Sequence, residues 1–310
     1  MCWSAPTSAS ECSPSVVVLG CFDGVHQGHR QLIAAAKEIA LKKGLPLVAY
    51  SPESRKGQAL LTTATEKTAL LHKLGCDRVI LADFGAIKDL APMEFLECIL
   101  ANRLHCHVAV CGYNFAFGKK AAGDSALLCA FMQSIGGSAF VVPAVTQDED
   151  AVSSTRIRKL LSEGHPAKAS ALLGRPYTVT DTVRHGRAIG RTLGFPTLNL
   201  TFPAEKLIPK NGVYYCRVTT PMGVYGAVAN VGFRPTFADT PPAAVLEAHL
   251  LDFAQDLYDQ SVSVEFIEFL RPERAFESPA ALAETVKGDI ARAIALKNED
   301  LLLAKEPKTI

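Results

Sequence analysis

The chain has little net charge: 32 Lys and Arg stand against 31 Asp and Glu, for a formal net charge of +1. No global field therefore draws it to nucleic acid or to an anionic membrane surface. Its nine cysteines stand singly, at 2, 12, 21, 76, 98, 106, 111, 129 and 216. An odd count without a CxxC pair speaks against a disulfide framework and a zinc ribbon. His105, Cys106, His107 and Cys111 lie close together, but their spacing follows no standard ligand pattern. Long hydrophobic runs are also lacking; none approaches the ~18 residues of a membrane span. The N-terminal MCWSAPTSASECSPS has neither a basic n-region nor an apolar h-region, so no signal peptide is expected. These absences point to a cytoplasmic protein that touches neither membrane nor nucleic acid.

What is there is apolar material and a change of texture. Apolar residues make up 48% of 310 residues, enough for two domains with a core each. From Val16 to Val145, β-rich runs (16–20, 45–50, 78–84, 107–112, 139–145) alternate with amphipathic stretches (29–44, 64–75, 92–104, 124–137). The strands are apolar almost throughout, as strands buried on both faces are. This pattern predicts a doubly wound parallel sheet, whose ligands bind beyond the carboxyl ends of the strands. Two short helices follow, 154–164 and 166–174. From Arg175 the runs shorten and alternate without intervening helices (177–186, 212–220, 223–232, 244–253, 261–270). That predicts a small antiparallel β-barrel. A closing helix over 278–298 follows, with Ser278 as N-cap and Pro279 in the first turn. The expected domains are 1–174 and 175–310, an α/β domain and a β domain.

The first strand runs into Cys21-Phe22-Asp23-Gly24-Val25-His26-Gln27-Gly28-His29. Gly24 and Gly28 let backbone approach a ligand, and the helix opening there presents unpaired N–H groups to an anion. His26 and His29 share one helix face and can donate hydrogen bonds to a crowded phosphate. That suits nucleotidyl transfer, which needs positioning and charge stabilisation rather than a protein nucleophile. The plainer alternative is a pair of capping histidines on a surface turn. Likewise Ser153, Ser154 and Thr155 can cap a helix beginning near Arg156, either as a phosphate cradle or as an ordinary cap.

The string GCFDGVHQGH resembles the signature of the N-terminal domain of bacterial bifunctional riboflavin kinase/FAD synthetases. The stretch Gly112–Gly118 (GYNFAFG) and the stretch Val152–Arg158 (VSSTRIR) resemble two further motifs of that family. The resemblance implies that His26 and His29 act on ATP phosphates in adenylyl transfer. It places Gly20, Phe22, Asp23, Gly24, Gly28, Ser153, Ser154, Thr155 and Arg156 around the nucleotide, and Asn114 and Phe115 at the flavin. One departure stands out. After the second strand the family carries F-x-P-H-P, whereas this chain reads Tyr50-Ser51-Pro52-Glu53-Ser54-Arg55-Lys56. A carboxylate at Glu53 repels phosphate unless a cation intervenes; Arg55 and Lys56 are candidates to supply it. FAD synthesis that is intact, slowed or altered in nucleotide preference all remain open at this point.

In the second half, a glycine-dense loop leads through Pro196 into extended chain. Its residues Gly186, Arg187, Gly190, Arg191 and Gly194 suit phosphates. Thr197 and Asn199 then point to one face and offer hard oxygens that suit Mg²⁺. A Gly-rich hairpin is the alternative for such a loop. The longer string GRAIGRTLGFPTLN resembles the GRxxGFPTxN signature of riboflavin kinases. That implies a loop folded over ATP phosphates, with Thr197 and Asn199 at Mg·ATP. Further on, Glu247 and His249 share one strand face, against Ala248 and Leu250 on the other. The resemblance makes Glu247 the base that takes the proton of the ribityl 5′-hydroxyl; otherwise it belongs to a solvated edge. Arg234, in NVGFRPTF, and Arg274, in RPER, match segments that shape the flavin side, although a purely structural role is the simpler reading of the latter.

The implied enzyme takes riboflavin and ATP to FMN, then FMN and ATP to FAD and pyrophosphate, with Mg²⁺ in both steps. Riboflavin, FMN, FAD and ATP are its expected partners, and a monomer or weak homo-oligomer its expected state. The alternatives are a riboflavin kinase with a catalytically weak N-terminal half, and a sensing module that touches RNA; the neutral charge counts against the last.

Overall fold

The structure is a computed structural model that describes residues 13–53, 57–186, 194–234 and 243–303. It divides into two compact units, Met1–Ser154 and Thr155–Ile310.

The first unit runs β1 (Ser15–Leu19), α1 (Gln27–Lys43), β2 (Leu47–Pro52), α2 (Ala64–Lys73), β3 (Arg78–Ala82), α3 (Phe84–Ile87) and α4 (Pro92–Glu94). The last of these passes directly into a π-helical stretch, Phe95–Arg103. There follow β4 (Cys106–Gly112), β5 (Ala116–Phe117), β6 (Gly123–Asp124), α5 (Ser125–Ser134), β7 (Ser138–Val142), β8 (Thr146–Gln147) and β9 (Asp150–Ala151). Five strands form one parallel sheet in the order β3-β2-β1-β4-β7. The alternation of β1 explains its unbroken apolar run: Val16 and Val18 face the core beneath α1, while Val17 and Leu19 face the core beneath the π stretch and α5. Burial on both faces at ~25 cal/mol per Å² makes β1 the anchor of the unit. The strand order reverses between β1 and β4, so the crevice for a ligand opens where those two strands end.

Cys106 and Cys111 sit inside β4, and burial pushes their thiols up to about 12 and about 11. Neither is therefore a thiolate ready to bind a metal. The expected fifth strand stops at Val142, before Pro143, and the α-helix expected over 92–104 is mostly π-helical.

The second unit holds α6 (Ser154–Glu163), which begins at the division, then α7 (Pro166–Leu173), β10 (Tyr177–Thr182), β11 (Leu198–Thr201), β12 (Gly212–Thr220), β13 (Gly223–Arg234), β14 (Ala243–Leu250), β15 (Ser261–Arg271) and α8 (Pro279–Leu303). Six antiparallel strands follow the order β10-β15-β12-β13-β14-β11 and form a nearly closed barrel. The seam between β11 and β10 is stitched by Arg184 N–H donating to Asn199 O at 2.9 Å. Asp181 adds to it by accepting from Thr201 N and Oγ1, both at 2.8 Å. α8 packs on β12 and β13, with Ala293 fully buried. Its first turn is capped as the sequence suggests, Ser278 Oγ accepting from Ala281 N at 3.2 Å.

The compact units meet at Ser154/Thr155, whereas the change of texture placed the boundary after residue 174. The reason is packing. α7 lies on β15 and β10, burying Ala169, Leu172 and Leu173, and Lys210 N–H donates to Leu161 O of α6 at 3.0 Å.

Candidate functional site

Two constellations of polar residues lie at places the topology favours. In the first unit, β1 ends at Leu19 and the chain makes a strained turn before α1. Phe22 and Val25 adopt positive φ, 49° and 42°, beside Gly24 at 80°. Both side chains are buried, which holds the backbone in a conformation that L-residues disfavour. The turn delivers His26 as N-cap of α1. Its Nδ1 accepts from His29 N–H at 3.4 Å, which leaves the ring proton on Nε2 as a donor. The two imidazoles stack 3.7 Å apart, and Phe22 meets His29 edge-on at 5.2 Å. A Cβ at Gly28 would lie 3.2 Å from the His26 ring, so the glycine of the HxGH string makes room for the first histidine. Burial first, then the electrostatic influence of His26 and of Lys67, hold His29 well below the ordinary imidazole range. It is neutral at pH 7, with a buried Nδ1 that has no hydrogen-bond partner among the described residues.

Asp23 is deeply buried, and its carboxylate accepts from Leu61 N at 2.9 Å and Thr62 N at 3.1 Å. Thr62 Oγ1 in turn accepts from Gly24 N at 3.0 Å. Asp23 thus braces the turn after β1 against the entry to α2. Ser154 Oγ donates to Asp23 O at 2.8 Å and ties the Ser-Ser-Thr turn to the same loop. The helix there starts at Ser154, where the expected 154–164 helix begins, and Thr155 and Arg156 lie on α6 in the second unit. Gly20 packs against Phe22, where a Cβ would meet the ring at 3.1 Å. Asn114 and Phe115 follow β4, at the same end of the sheet as the turn after β1; Phe115 stacks on Phe117 at 5.5 Å. Arg55 and Lys56 lie outside the described residues.

Sequence reading missed Lys67. It is a buried lysine on α2, whose Nζ donates to Cys21 O at 3.0 Å and Ser51 Oγ at 3.3 Å. The available signal was a lysine four residues before Leu71 on the apolar stripe of an amphipathic helix.

In the second unit the barrel brings Asn199, Glu247 and Asn230 into one row across three strands. Glu247 is the cross-strand partner of Asn199 on one side and of Asn230 on the other. Alternation along β14 buries Leu246, Ala248 and Leu250 and leaves Glu247 and His249 on the opposite face, as the pattern requires. Gly186 lies against this row: a Cβ there would fall 2.2 Å from Asn199 Nδ2. Asn230 Nδ2 donates to Glu273 at 3.2 Å, so a second carboxylate stands beside the row. His249 Nδ1 lies 2.9 Å from Pro196 O and fixes the chain entering β11. A cavity of about 260 Å³ adjoins, lined by Gly186, Pro196, Thr197, Asn199, Asp256 and Tyr258 among others. His185 stacks on Tyr258 at 3.8 Å at its edge.

Gly194 takes a positive φ of 86°. Arg187, Gly190 and Arg191 lie outside the described residues, and Arg234 is described in its backbone alone. Arg274 is turned to the closing helix, donating to Thr285 Oγ1 at 2.5 Å and lying 5.0 Å over the Phe276 ring. Asn199 Nδ2 donates to Thr197 O at 3.4 Å. Among the described residues no cluster of three or more His, Cys, Asp or Glu could cage a metal. The Thr197 hydroxyl and the Asn199 amide oxygen are hard donors of the kind that suits Mg²⁺, which keeps waters and substrate oxygens in its shell.

Comparison with known proteins gives two domain matches: FAD synthetase over residues 8–156 and riboflavin kinase over 173–297. A bifunctional riboflavin kinase/FMN adenylyltransferase of Bacillus subtilis is 32% identical over 295 residues, covering 92% of this chain and 93% of the relative. The protein of that name from Pseudomonas fluorescens is 36% identical over 296 residues, covering 91% and 92%. A crystal structure described as a macrolide-efflux protein from Streptococcus pneumoniae superposes with a TM-score of 0.82 at 31% identity, covering 90% of this chain and 93% of that one. Among the described residues of the present chain, no helix is long and apolar enough to cross a membrane.

Proposed function

Since this chain belongs to the bifunctional riboflavin kinase/FMN adenylyltransferase family, we propose that its two reactions divide between the two constellations just described. The chain is an enzyme of flavin biosynthesis with both activities and uses ATP as co-substrate. The division of labour among residues is our assignment.

For the kinase step, Glu247 takes the proton from the ribityl 5′-hydroxyl of riboflavin as that oxygen attacks the γ-phosphorus of ATP, and ADP leaves. Gly186 and Gly194 let the backbone approach the phosphates. Thr197 and the amide oxygen of Asn199 would hold Mg²⁺, which supplies positive charge to the phosphate oxygens when bound. Asn230 orients the row through its bond to Glu273. The observation that carries this reading is the cross-strand row Asn199–Glu247–Asn230 packed under Gly186.

For the adenylyl step, a phosphate oxygen of FMN attacks the α-phosphorus of ATP and pyrophosphate leaves. The Nε2–H of His26 and the neutral ring of His29 donate to phosphate oxygens, with the opening turn of α1 behind them. Asn114 and Phe115 stand on the flavin side.

A time course with riboflavin and Mg·ATP reads both steps. Glu247→Gln is expected to lower FMN formation on the order of 10³-fold while FAD formation from supplied FMN continues at the parental rate. His29→Ala is expected to do the reverse. Equal loss of both activities in a folded Glu247→Gln variant contradicts the assignment.

A further inference from the structure

Lys67 is a charged residue buried at the first site, and neither step assigned above uses it. Its place is set by three elements. Residue 67 lies in the first turn of α2, directly after the segment that Asp23 holds. Its ammonium reaches the carbonyl of Cys21, in the turn after β1, and the hydroxyl of Ser51, near the end of β2. Ser51 Oγ itself donates to Cys21 O at 2.8 Å, so a three-membered polar knot joins the two strand ends. An ammonium has three N–H groups; two are used here, and the third has no partner among the described residues.

The neighbours are charged. Burial works against the ammonium, and the charges of Asp23, Cys21 and Glu53 hold it up against that loss. Lys67 in turn acts with burial and His26 to keep His29 neutral. Glu53 follows β2 and is exposed, at the position where the sequence departs from F-x-P-H-P. A carboxylate there brings negative charge to a place where phosphates must lie, and a buried ammonium in range of it offsets that charge.

We propose that Lys67 is a positioning residue of the adenylyl site whose charge, besides facing Asp23, offsets part of the charge of Glu53, so that the ATP phosphates meet a less anionic floor. The inference rests on the assignment of adenylyl transfer to the His26–His29 turn. It makes a demand that a purely mechanical tie does not. Removing the ammonium leaves Glu53 uncompensated, so removing the Glu53 charge as well must return part of what was lost.

The test uses the full-length chain, with FAD formation from FMN and Mg·ATP as readout and FMN formation from riboflavin as internal control for folding. Lys67→Met is expected to lower kcat/KM for FAD formation on the order of 10²-fold, as loss of one preorganised phosphate-stabilising group does, with FMN formation unchanged. Lys67→Arg, which keeps the charge, is expected to stay within about tenfold of the parent. The double variant Lys67→Met with Glu53→Gln is expected to recover about tenfold over Lys67→Met alone, while Glu53→Gln in the parent changes the rate only a few-fold. Full activity in Lys67→Met overturns the proposal. So does a loss that neither arginine nor Glu53→Gln relieves, which marks the bonds to Cys21 and Ser51 as a structural tie alone. His29→Ala run alongside separates the two levels: if it makes FAD at the parental rate, the site assignment fails and this proposal with it; if it is inactive, the Lys67 result stands by itself.

Discussion

A single missing side chain makes room for the Asn199 amide in the row to which we assign the kinase step. At Gly186 a methyl group would lie 2.2, 2.4 and 2.5 Å from Asn199 Nδ2, Cγ and Oδ1. Real Cβ atoms do not come so close, and the amide cannot retreat far, because Asn199 sits in a strand paired with Glu247. Gly186→Ala must therefore swing the amide out of the row or push the glycine segment off it. Displacement of about 1 Å at a phosphate-transfer site costs on the order of 10²-fold, so FMN formation is expected to fall by that amount. FAD formation from supplied FMN should not change, and a variant that phosphorylates riboflavin at the parental rate shows that the contact does no work. Sequence reading could name Gly186 as a loop glycine, since glycine is permissive anywhere. That its function is to leave room for one particular amide is visible only once β11 and β10 are side by side. The same holds for Asp23, whose place in the family signature suggested the nucleotide, but whose carboxylate bonds backbone N–H groups of Leu61 and Thr62.

Elements were legible in proportion to how local their causes are. α1 and α2 carry their own start signals, and Thr63 with Glu66 forms a reciprocal capping box, Glu66 N donating to Thr63 Oγ1 at 3.2 Å and Thr63 N to Glu66 Oε2 at 2.9 Å. The π stretch was not legible. Leu104 N–H bonds Ile99 O, five residues back, and an apolar stripe looks alike whether the ring closes over four residues or five. β11 was readable as extended chain after Pro196, but its pairing with β14 is a tertiary fact, and so is the row that depends on it. The cap has a consequence for function, because α2 also carries Lys67. Thr63→Ala removes one half of the box and is expected to destabilise the N-terminal unit by about 1 kcal/mol. It should also lower FAD formation more than FMN formation, through the looser hold on the ammonium. Denaturant midpoints and the two rates measured on one preparation check this; an unchanged midpoint would mean that the bonds Asp23 makes to Leu61 and Thr62 fix the helix start unaided.

At the scale of the whole molecule, composition and texture were enough to see two domains, because a parallel sheet with helices and a barrel without them have different periodicities. The place of the join was less visible. α6 and α7 read as a tail of the α/β half, since helices are what that half is made of. Their buried faces decide otherwise: Ala169, Leu172 and Leu173 lie against β15 and β10, Lys210 N–H bonds Leu161 O, and the division falls at Ser154/Thr155. A fragment starting at Arg175 would strip that cover and leave the outer face of two barrel strands in water. Each of Leu172 and Leu173 contributes roughly 1.5–3 kcal/mol when fully buried, a large share of the few kcal/mol by which a barrel of this size is stable. A fragment of residues 155–310 is therefore expected to melt at a clearly higher temperature than one of residues 175–310. Its riboflavin kinase rate should match that of the full chain, because Asn199, Glu247 and Asn230 are all within it. Calorimetry of the two fragments with riboflavin and Mg·ATP assays decides the matter: equal melting temperatures and equal rates would return α6 and α7 to the N-terminal half.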